Sequence, residues 1–352
     1  MSKFFSLKHK NLIPYTPGEQ PKDMKYIKLN TNESPYPPSK AAIEEASRQA
    51  ELLRLYPDPE CSALREDIAA YYGVEKENVV LSNGSDEILN FAFIAYGDKE
   101  HPFVFPDITY GFYSVFAEVN NIPYEEIPLE DDFTIDFDRY IGINKNIVIA
   151  NPNAPTGIFA PLSEIERVVS SNPENIVIVD EAYIDFGGET AIPLTKKYDN
   201  LIVVQTFSKS RSMAGARLGF CMASKELCRD LNTIRYSINP YNINRMTMAA
   251  GSGAIKDTEY FERNRQEIIN TREKTAAALS EMGFTILPSK TNFLFAKSDR
   301  ISGEELYKKL RENGILVRHF TGKRICEYNR ITIGTPNEME TFVNTIKKIL
   351  KD

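Results

Sequence analysis

Short, almost wholly apolar runs recur through the first two-thirds of the chain: NVVLS (78–82), PFVF (102–105), NIVIA (146–150), NIVIVD (175–180), NLIVVQTF (200–207) and RLGFCMA (217–223). Apolar, β-branched runs of this length without polar alternation suit strands buried on both faces. Helix patterns such as SDEILNFAFIAY and LSEIERVVSS lie between several of them. Strand–helix alternation predicts an α/β fold with a mostly parallel central sheet. Ligands of such sheets bind at the carboxyl ends of the strands, so functional polar residues are expected there.

The rest of the chain has a different character. Residues 1–30 are polar and proline-rich (PYTPGEQPKD), which reads as an arm, and a helix pattern, SKAAIEEASRQAELLRL, follows Pro37-Pro38. After about residue 255 a long charged helix pattern, TEYFERNRQEIINTREKTAAALSEM, leads into TILPSKTNFLFA, a helix, GILVR, RITIGT and a last helix. The expected organisation is an arm over 1–30 packing with the small domain, a large domain over 31–255 and a small α+β domain over 256–352. That agrees with about two domains for 352 residues.

Composition excludes several function classes. With 42% apolar and 26% charged residues the chain has an ordinary globular balance and can bury a core. A net charge of −7 argues against a nucleic-acid or anionic-membrane binder. No apolar run approaches the roughly 18–20 residues that span a bilayer. The first residues, MSKFFSLKHKNLIPY, carry charges where a signal peptide needs its apolar stretch, so a cytoplasmic location is expected. Cys61, Cys221, Cys228 and Cys326 form no CxxC pair, and the histidines are His9, His101 and His319. Zinc-ligand spacing is absent and no metal is expected. Scarce histidine also weakens a serine or cysteine hydrolase, whose nucleophile needs an imidazole base.

Four strand ends carry the chemistry. Thr206-Phe207-Ser208-Lys209-Ser210 closes NLIVVQTF. Taken alone Lys209 reads as a solvated loop lysine; its functional reading is an amine that condenses with an aldehyde. Arg217, eight residues on, can clamp a phosphate with its guanidinium fork. Asp180 closes NIVIVD, and an acid at the end of a buried strand needs a cationic partner; Tyr183 lies just beyond. Asn151-Pro152-Asn153-Ala154-Pro155-Thr156-Gly157 follows NIVIA, either as a plain turn or as a rigid frame for the Asn153 amide. Ser82-Asn83-Gly84-Ser85-Asp86-Glu87 joins a strand to a helix, where free N–H groups at the helix start favour an anion.

In this order, with NLIPYTPGEQP, KLNTNESPYPPS, LYPDPE, LSNGSDEIL, PDITYGFYS, NPNAPTG, VDEAYIDF, TFSKSRSMAGARLGF, TNFLFA, GILVR and RITIGT, these segments resemble the fold-type-I aminotransferases that use pyridoxal 5′-phosphate, and among them the histidinol-phosphate aminotransferase group. The resemblance implies that the large domain holds the cofactor and that Lys209 is its Schiff-base lysine. It gives Asp180 the ring nitrogen, Asn153 and Tyr183 the ring hydroxyl, and Tyr110 the stacking position. Gly84, Ser85, Asp86, Thr206, Ser208 and Arg217 match the phosphate cradle. Tyr56 matches a tyrosine that reaches the neighbouring subunit's cofactor phosphate, which implies a homodimer. Arg330 matches the arginine for a substrate carboxylate. Arg318 and Tyr15 match groups near a substrate phosphate, and Asn32, in the NTNESPY segment, is also taken as a substrate residue. The family more often has Asn where Ser34 stands, and the stretch HFTGKRICEYN between Arg318 and Arg330 is individual to this chain.

The resemblance implies small-molecule substrates: glutamate or 2-oxoglutarate, and a phosphorylated or aromatic keto compound. Rival readings are an aromatic amino-acid aminotransferase or a threonine-phosphate decarboxylase of the same fold, and a non-catalytic cofactor-binding protein. No GxGxxG follows the first strand, which argues against a nicotinamide dehydrogenase.

Overall fold

A computed structural model describes residues 2–10 and 12–351. Its strands are β1 (Ile27–Leu29), β2 (Val79–Ser82), β3 (Phe103–Pro106), β4 (Tyr124–Ile127), β5 (Asn146–Ala150), β6 (Val177–Asp180), β7 (Leu201–Thr206), β8 (Gly219–Met222), β9 (Phe284–Ile286), β10 (Phe293–Ser298), β11 (Ile315–His319) and β12 (Asn329–Thr332). Its α-helices are α1 (Lys40–Arg48), α2 (Ser62–Tyr72), α3 (Ser85–Tyr96), α4 (Phe112–Asn120), α5 (Leu162–Ser171), α6 (Lys225–Ile238), α7 (Arg245–Lys256), α8 (Thr258–Glu281), α9 (Gly303–Glu312) and α10 (Pro336–Ile349). Among the described residues no helix is long and apolar enough to cross a membrane.

Seven strands form one sheet in the order β2-β8-β7-β6-β5-β3-β4. The pairs β7·β6, β6·β5, β5·β3 and β3·β4 are parallel, and β8 runs antiparallel to both its neighbours. This is the mostly parallel α/β sheet expected from the apolar runs. Alternate residues feed two cores: Ile147 and Ile149 point to one face, Val148 and Ala150 to the other. Because β8 is reversed, its amino end, with Arg217 just before it, lies on the same edge as the carboxyl ends of the other strands. That edge therefore gathers the residues after β2, β3, β5, β6 and β7.

Five strands form a second sheet, β1-β11-β12-β10-β9. One face packs on α8, α9 and α10 through Leu294, Ala296, Val317, Ile331, Ile268, Leu306 and Phe342. The amino-terminal residues divide. Ile27–Leu29 pair parallel with Ile315–Val317, whereas His9 bonds to the carbonyl of Val119 and Tyr15 packs 4.3 Å from Phe112 on α4.

Local differences from the sequence reading have physical causes. β4 (YEEI) escapes an apolar-run criterion because it is an edge strand whose Tyr124, Glu125 and Glu126 face water. The helix expected over 39–55 stops at Arg48; Leu52, Leu53 and Leu55 stay exposed, with no core beneath to extend it. The strand expected from Arg217 begins at Gly219, because Arg217 takes a left-handed backbone (φ 55°).

Candidate active site

Asp180 sits at the floor of a cavity of about 390 Å³ on the carboxyl edge of the large sheet. It is 5% exposed, and burial pushes its carboxyl up to about 6. The Tyr113 hydroxyl donates to Oδ2 over 2.8 Å and the Ala182 N–H to Oδ1 over 3.2 Å. Both favour the ionised form, but desolvation outweighs them. A cation brought to this carboxylate would relieve the cost.

Above it lies an anion cradle. Gly84 caps α3 with φ +79° and no side-chain capping bond, so the first N–H groups of the helix are not occupied by a cap. A Cβ at residue 84 would overlap the Arg217 guanidinium. One at residue 219 would overlap the backbone of Gly84 and Ser85, a requirement the sequence did not announce. Asp86 bridges two partners: Oδ1 accepts from the Tyr110 hydroxyl at 2.7 Å and Oδ2 pairs with Arg217 at 3.1 Å. The buried hydroxyl of Thr206 lies 2.9 Å from that of Ser208, and Ser85, Asp86, Thr206, Ser208 and Arg217 all line the cavity. A helix start, a guanidinium and two hydroxyls together suit a phosphate.

Lys209 lines the same cavity with Nζ 3.5 Å from the Thr31 carbonyl and 5.7 Å from the centre of the Tyr183 ring. The Tyr183 hydroxyl accepts from Asn32 Nδ2 at 2.9 Å, which leaves its own proton to donate. Asn32 is buried in a left-handed backbone and is held by Thr332, whose hydroxyl donates to Asn32 Oδ1 at 3.0 Å. Asn153 is placed differently from a presented amide. Its Nδ2 donates to the Ile108 carbonyl and the Thr156 hydroxyl, its Oδ1 accepts from Thr109, and Pro152 and Ala154 line the cavity in its stead.

A second cavity of about 490 Å³ adjoins the first, with Tyr110 and Ala154 common to both. Tyr15, Arg318, Phe320, Lys323, Arg324 and Arg330 line it. Arg318 and Arg330 are register partners across β11 and β12, so two guanidinium side chains share one face of the small sheet. Like charges directly opposite on a sheet repel. Arg330 is half-buried, its Nε is withdrawn from water without a partner among the described residues while Nη2 donates to the Asn30 carbonyl at 3.2 Å, and desolvation followed in part by Arg318 lowers its pKa. Arg318 donates to the carbonyls of Thr16 and Pro17. A pair of cations held this way calls for an anionic ligand.

Tyr56 lies apart from both cavities, 77% exposed and stacked on Tyr241 at 4.6 Å. Gln20, Thr31, Glu33, Tyr113, Lys323 and Arg324 belong to the site without having been singled out from sequence. Among the described residues no cluster of three His, Cys, Asp or Glu is placed to hold a metal.

The carboxyl edge of this α/β fold thus brings an amine, a buried acid and donors that suit a phosphate into one cavity. The aminotransferase class I and II family profile matches residues 24–346. Histidinol-phosphate aminotransferase of Brachyspira hyodysenteriae is 52% identical over the whole of both chains. That of Clostridium acetobutylicum is 48% identical over 99% of this chain and 100% of its own. Among solved structures, a putative histidinol-phosphate aminotransferase from Erwinia carotovora atroseptica superposes with TM-score 0.86 at 26% identity, covering 93% of this chain and 96% of that one. The Sinorhizobium meliloti histidinol-phosphate aminotransferase, solved with pyridoxal 5′-phosphate, shares the fold with TM-score 0.86 at 22% identity over 93% and 92% of the two chains. The chain belongs to the class I and II aminotransferases and, within them, to the histidinol-phosphate aminotransferases.

Proposed function

We propose that this chain is a pyridoxal-phosphate-dependent aminotransferase that exchanges an amino group between L-glutamate and the keto compound imidazole acetol phosphate, giving 2-oxoglutarate and L-histidinol phosphate. One observation carries the reading: the cavity of Lys209 and Asp180 opens, past Tyr110, on the one that Arg318 and Arg330 line. An amine-and-acid site thus adjoins an anion site.

The bound cofactor supplies an aldehyde and a pyridine ring that draws electrons from the substrate Cα–H bond. Asp180 supplies the carboxylate that holds a proton on the ring nitrogen, and Tyr113 orients it. Ser85, Thr206, Ser208, Arg217 and the start of α3 bind the phosphate. The Tyr183 hydroxyl donates to the ring hydroxyl, with Asn32 fixing its direction. Asn153 frames the turn on that side, and Tyr110 walls the ring. Lys209 Nζ removes the substrate Cα proton and redelivers it, as general base and then acid.

Substrate binding falls to Arg330 for the α-carboxylate of glutamate and to Arg318 for its distal carboxylate or the phosphate, with Tyr15 beside it. The reading includes a homodimer in which Tyr56 reaches the cradle of the second copy; its exposure beside exposed Leu53, Leu55 and Tyr241 supports that. It also includes a cytoplasmic location, which suits four free thiols.

The test is a half-reaction panel. Enzyme loaded with cofactor is converted by glutamate, then reoxidised with imidazole acetol phosphate, phenylpyruvate or 4-hydroxyphenylpyruvate, and absorbance is followed. Fast reoxidation by the phosphorylated compound is expected. A preference for the aromatic acids, or carbon dioxide release from threonine phosphate, would overturn the reading.

A further inference from the structure

The segment between β11 and β12 closes the outer side of the second cavity, where Phe320, Gly322, Lys323, Arg324 and Ile325 line it. It is anchored across to the large sheet. Arg324 Nη2 donates to the carbonyls of Leu129 at 2.9 Å and Glu130 at 2.6 Å, and Nη1 pairs with Asp107 Oδ2 at 3.3 Å. Asp107 follows β3, and its Oδ1 accepts from the Leu129 N–H at 2.9 Å, so one carboxylate ties both sides. Beneath the anchor, Leu129, Phe133, Phe295 and Tyr328 form a small core of their own, with Phe320 and Ile325 packed on it. The guanidinium carbon also lies 5.4 Å from the centre of the Phe133 ring.

We propose that Arg324 is a positioning residue for substrate selectivity: bound to Asp107 and to the carbonyls of Leu129 and Glu130, it fixes the strap 320–328 as the outer wall of the substrate cavity, and that wall favours the larger phosphorylated substrate over glutamate. The inference rests on the function proposed above. Its direction follows from which elements hold which ligand. Arg318 and Arg330 are set by the register of β11 and β12, with the ring of Phe320 at the start of the strap 5.8 and 5.7 Å from their guanidinium carbons, so loosening the strap beyond Phe320 leaves the acids of glutamate their partners. Histidinol phosphate carries an imidazole ring as well as an anion, so more of its surface meets the Phe320, Lys323 and Ile325 wall.

The experiment uses cofactor-loaded full-length enzyme with Arg324→Ala, Asp107→Asn and the double variant. Asp107→Asn keeps an oxygen for the Leu129 N–H and leaves the carbonyl bonds of Arg324 in place, so it remains informative where Arg324→Ala fails to fold. Hydrogen exchange of amides 320–328 should rise in each variant. The selectivity kcat/KM for histidinol phosphate over glutamate should fall about tenfold in Arg324→Ala, through KM, with the double variant no worse than the worse single one, as expected for residues acting as a pair. Arg324→Lys should restore part of it, since one ammonium copies one of the three bonds. Unchanged exchange in the strap overturns the anchoring. Faster exchange with an unchanged ratio, or equal losses on both substrates, overturns the selectivity role. If wild-type enzyme does not use histidinol phosphate, the proposed function falls, and the strap is then read from its exchange and from the ratio of glutamate to the larger substrate that the panel identifies.

Discussion

The Tyr113 hydroxyl donates to Asp180 Oδ2 over 2.8 Å, and both groups are withdrawn from water at the base of the cavity that Lys209 lines. This bond lowers the pKa of Asp180 against the larger upward push of burial. Its removal in Tyr113→Phe should drive the carboxyl further above about 6, so that less of it is ionised at neutral pH. Capture of pyridoxal phosphate by the apoprotein should weaken about tenfold near pH 7, as befits loss of a hydrogen bond to a charged group. Its pH midpoint should move upward. Titration of cofactor binding between pH 5 and 8 checks this; an unmoved midpoint means that Tyr113 does no more than fill space.

Asp180 and Glu181 should each contribute to the stability of the apoprotein an amount that is lost as pH rises across the acid range. Asp180 is pushed from 3.8 to about 6 and its neighbour Glu181 from 4.5 to about 7, both chiefly by burial. Each raised acid binds more protons folded than unfolded between its two pKa values, so the contribution of this pair falls as pH climbs from about 4 to 7. Asp180→Asn should flatten the portion between about 4 and 6 by up to roughly 3 kcal/mol. Denaturant midpoints of cofactor-free wild type and variant, measured over that range, test it; parallel curves would contradict the burial argument.

Gly84→Ala should damage cofactor retention more than folding. Residue 84 has φ +79°, and its new Cβ would overlap Arg217, which must swing out of the cradle. Strain of this kind costs roughly 1–3 kcal/mol. The expected result is a pyridoxal phosphate Kd raised at least tenfold in a folded protein, read by equilibrium dialysis and circular dichroism. Retention equal to wild type would show that the phosphate does not sit at the start of α3.

Borohydride reduction of cofactor-loaded enzyme should fix the cofactor on Lys209, as peptide mass mapping would show. Lys209→Ala should lose turnover by several orders of magnitude, on the order of what removing a covalent, proton-transferring group costs, and still bind the cofactor through the cradle. An adduct on another lysine would sink the assignment.

What sequence could and could not disclose follows from where each signal resides. Asp180 was legible because a buried strand ends abruptly there and a polar residue at such an end stands out against its apolar run; Lys209 and Arg217, between β7 and β8, stood out through the TFSKSRSMAGARLGF segment that carries the resemblance. The sheet was legible through its apolar runs, except at β4, whose water-facing glutamates carry no apolar signal. Tyr113 and Arg324 were not, since their roles come from partners 67 and 217 residues away. Asn153 shows the reverse case. Its loop marks it as a candidate donor, but only the packing reveals that Ile108, Thr109 and Thr156 engage its amide. The opposition of Arg318 and Arg330 needed the register of two strands joined by an irregular strap.

That opposition leads to a division of labour between the two arginines. Arg330 has a water-excluded Nε without a partner among the described residues and one bond to the Asn30 carbonyl, whereas Arg318 donates to the carbonyls of Thr16 and Pro17. Glutamate carries an α-carboxylate and histidinol phosphate does not. Arg330→Ala should therefore harm the glutamate half-reaction more than the histidinol-phosphate one. Loss of one partner of a desolvated charge pair costs about 2–5 kcal/mol, and this should appear on the glutamate side. Arg318→Ala should harm both, because the proposed function places the distal carboxylate and the phosphate at that one position. Arg318→Lys should recover part of the loss, as a point charge does not copy a planar fork. Arg330→Ala should also relieve the repulsion across β11 and β12, so the ligand-free variant should be no less stable than wild type. Single-turnover absorbance changes for each half-reaction, with thermal unfolding alongside, separate these effects. Equal losses in both half-reactions for Arg330→Ala would assign that residue to an anion common to both substrates and remove the basis for the division.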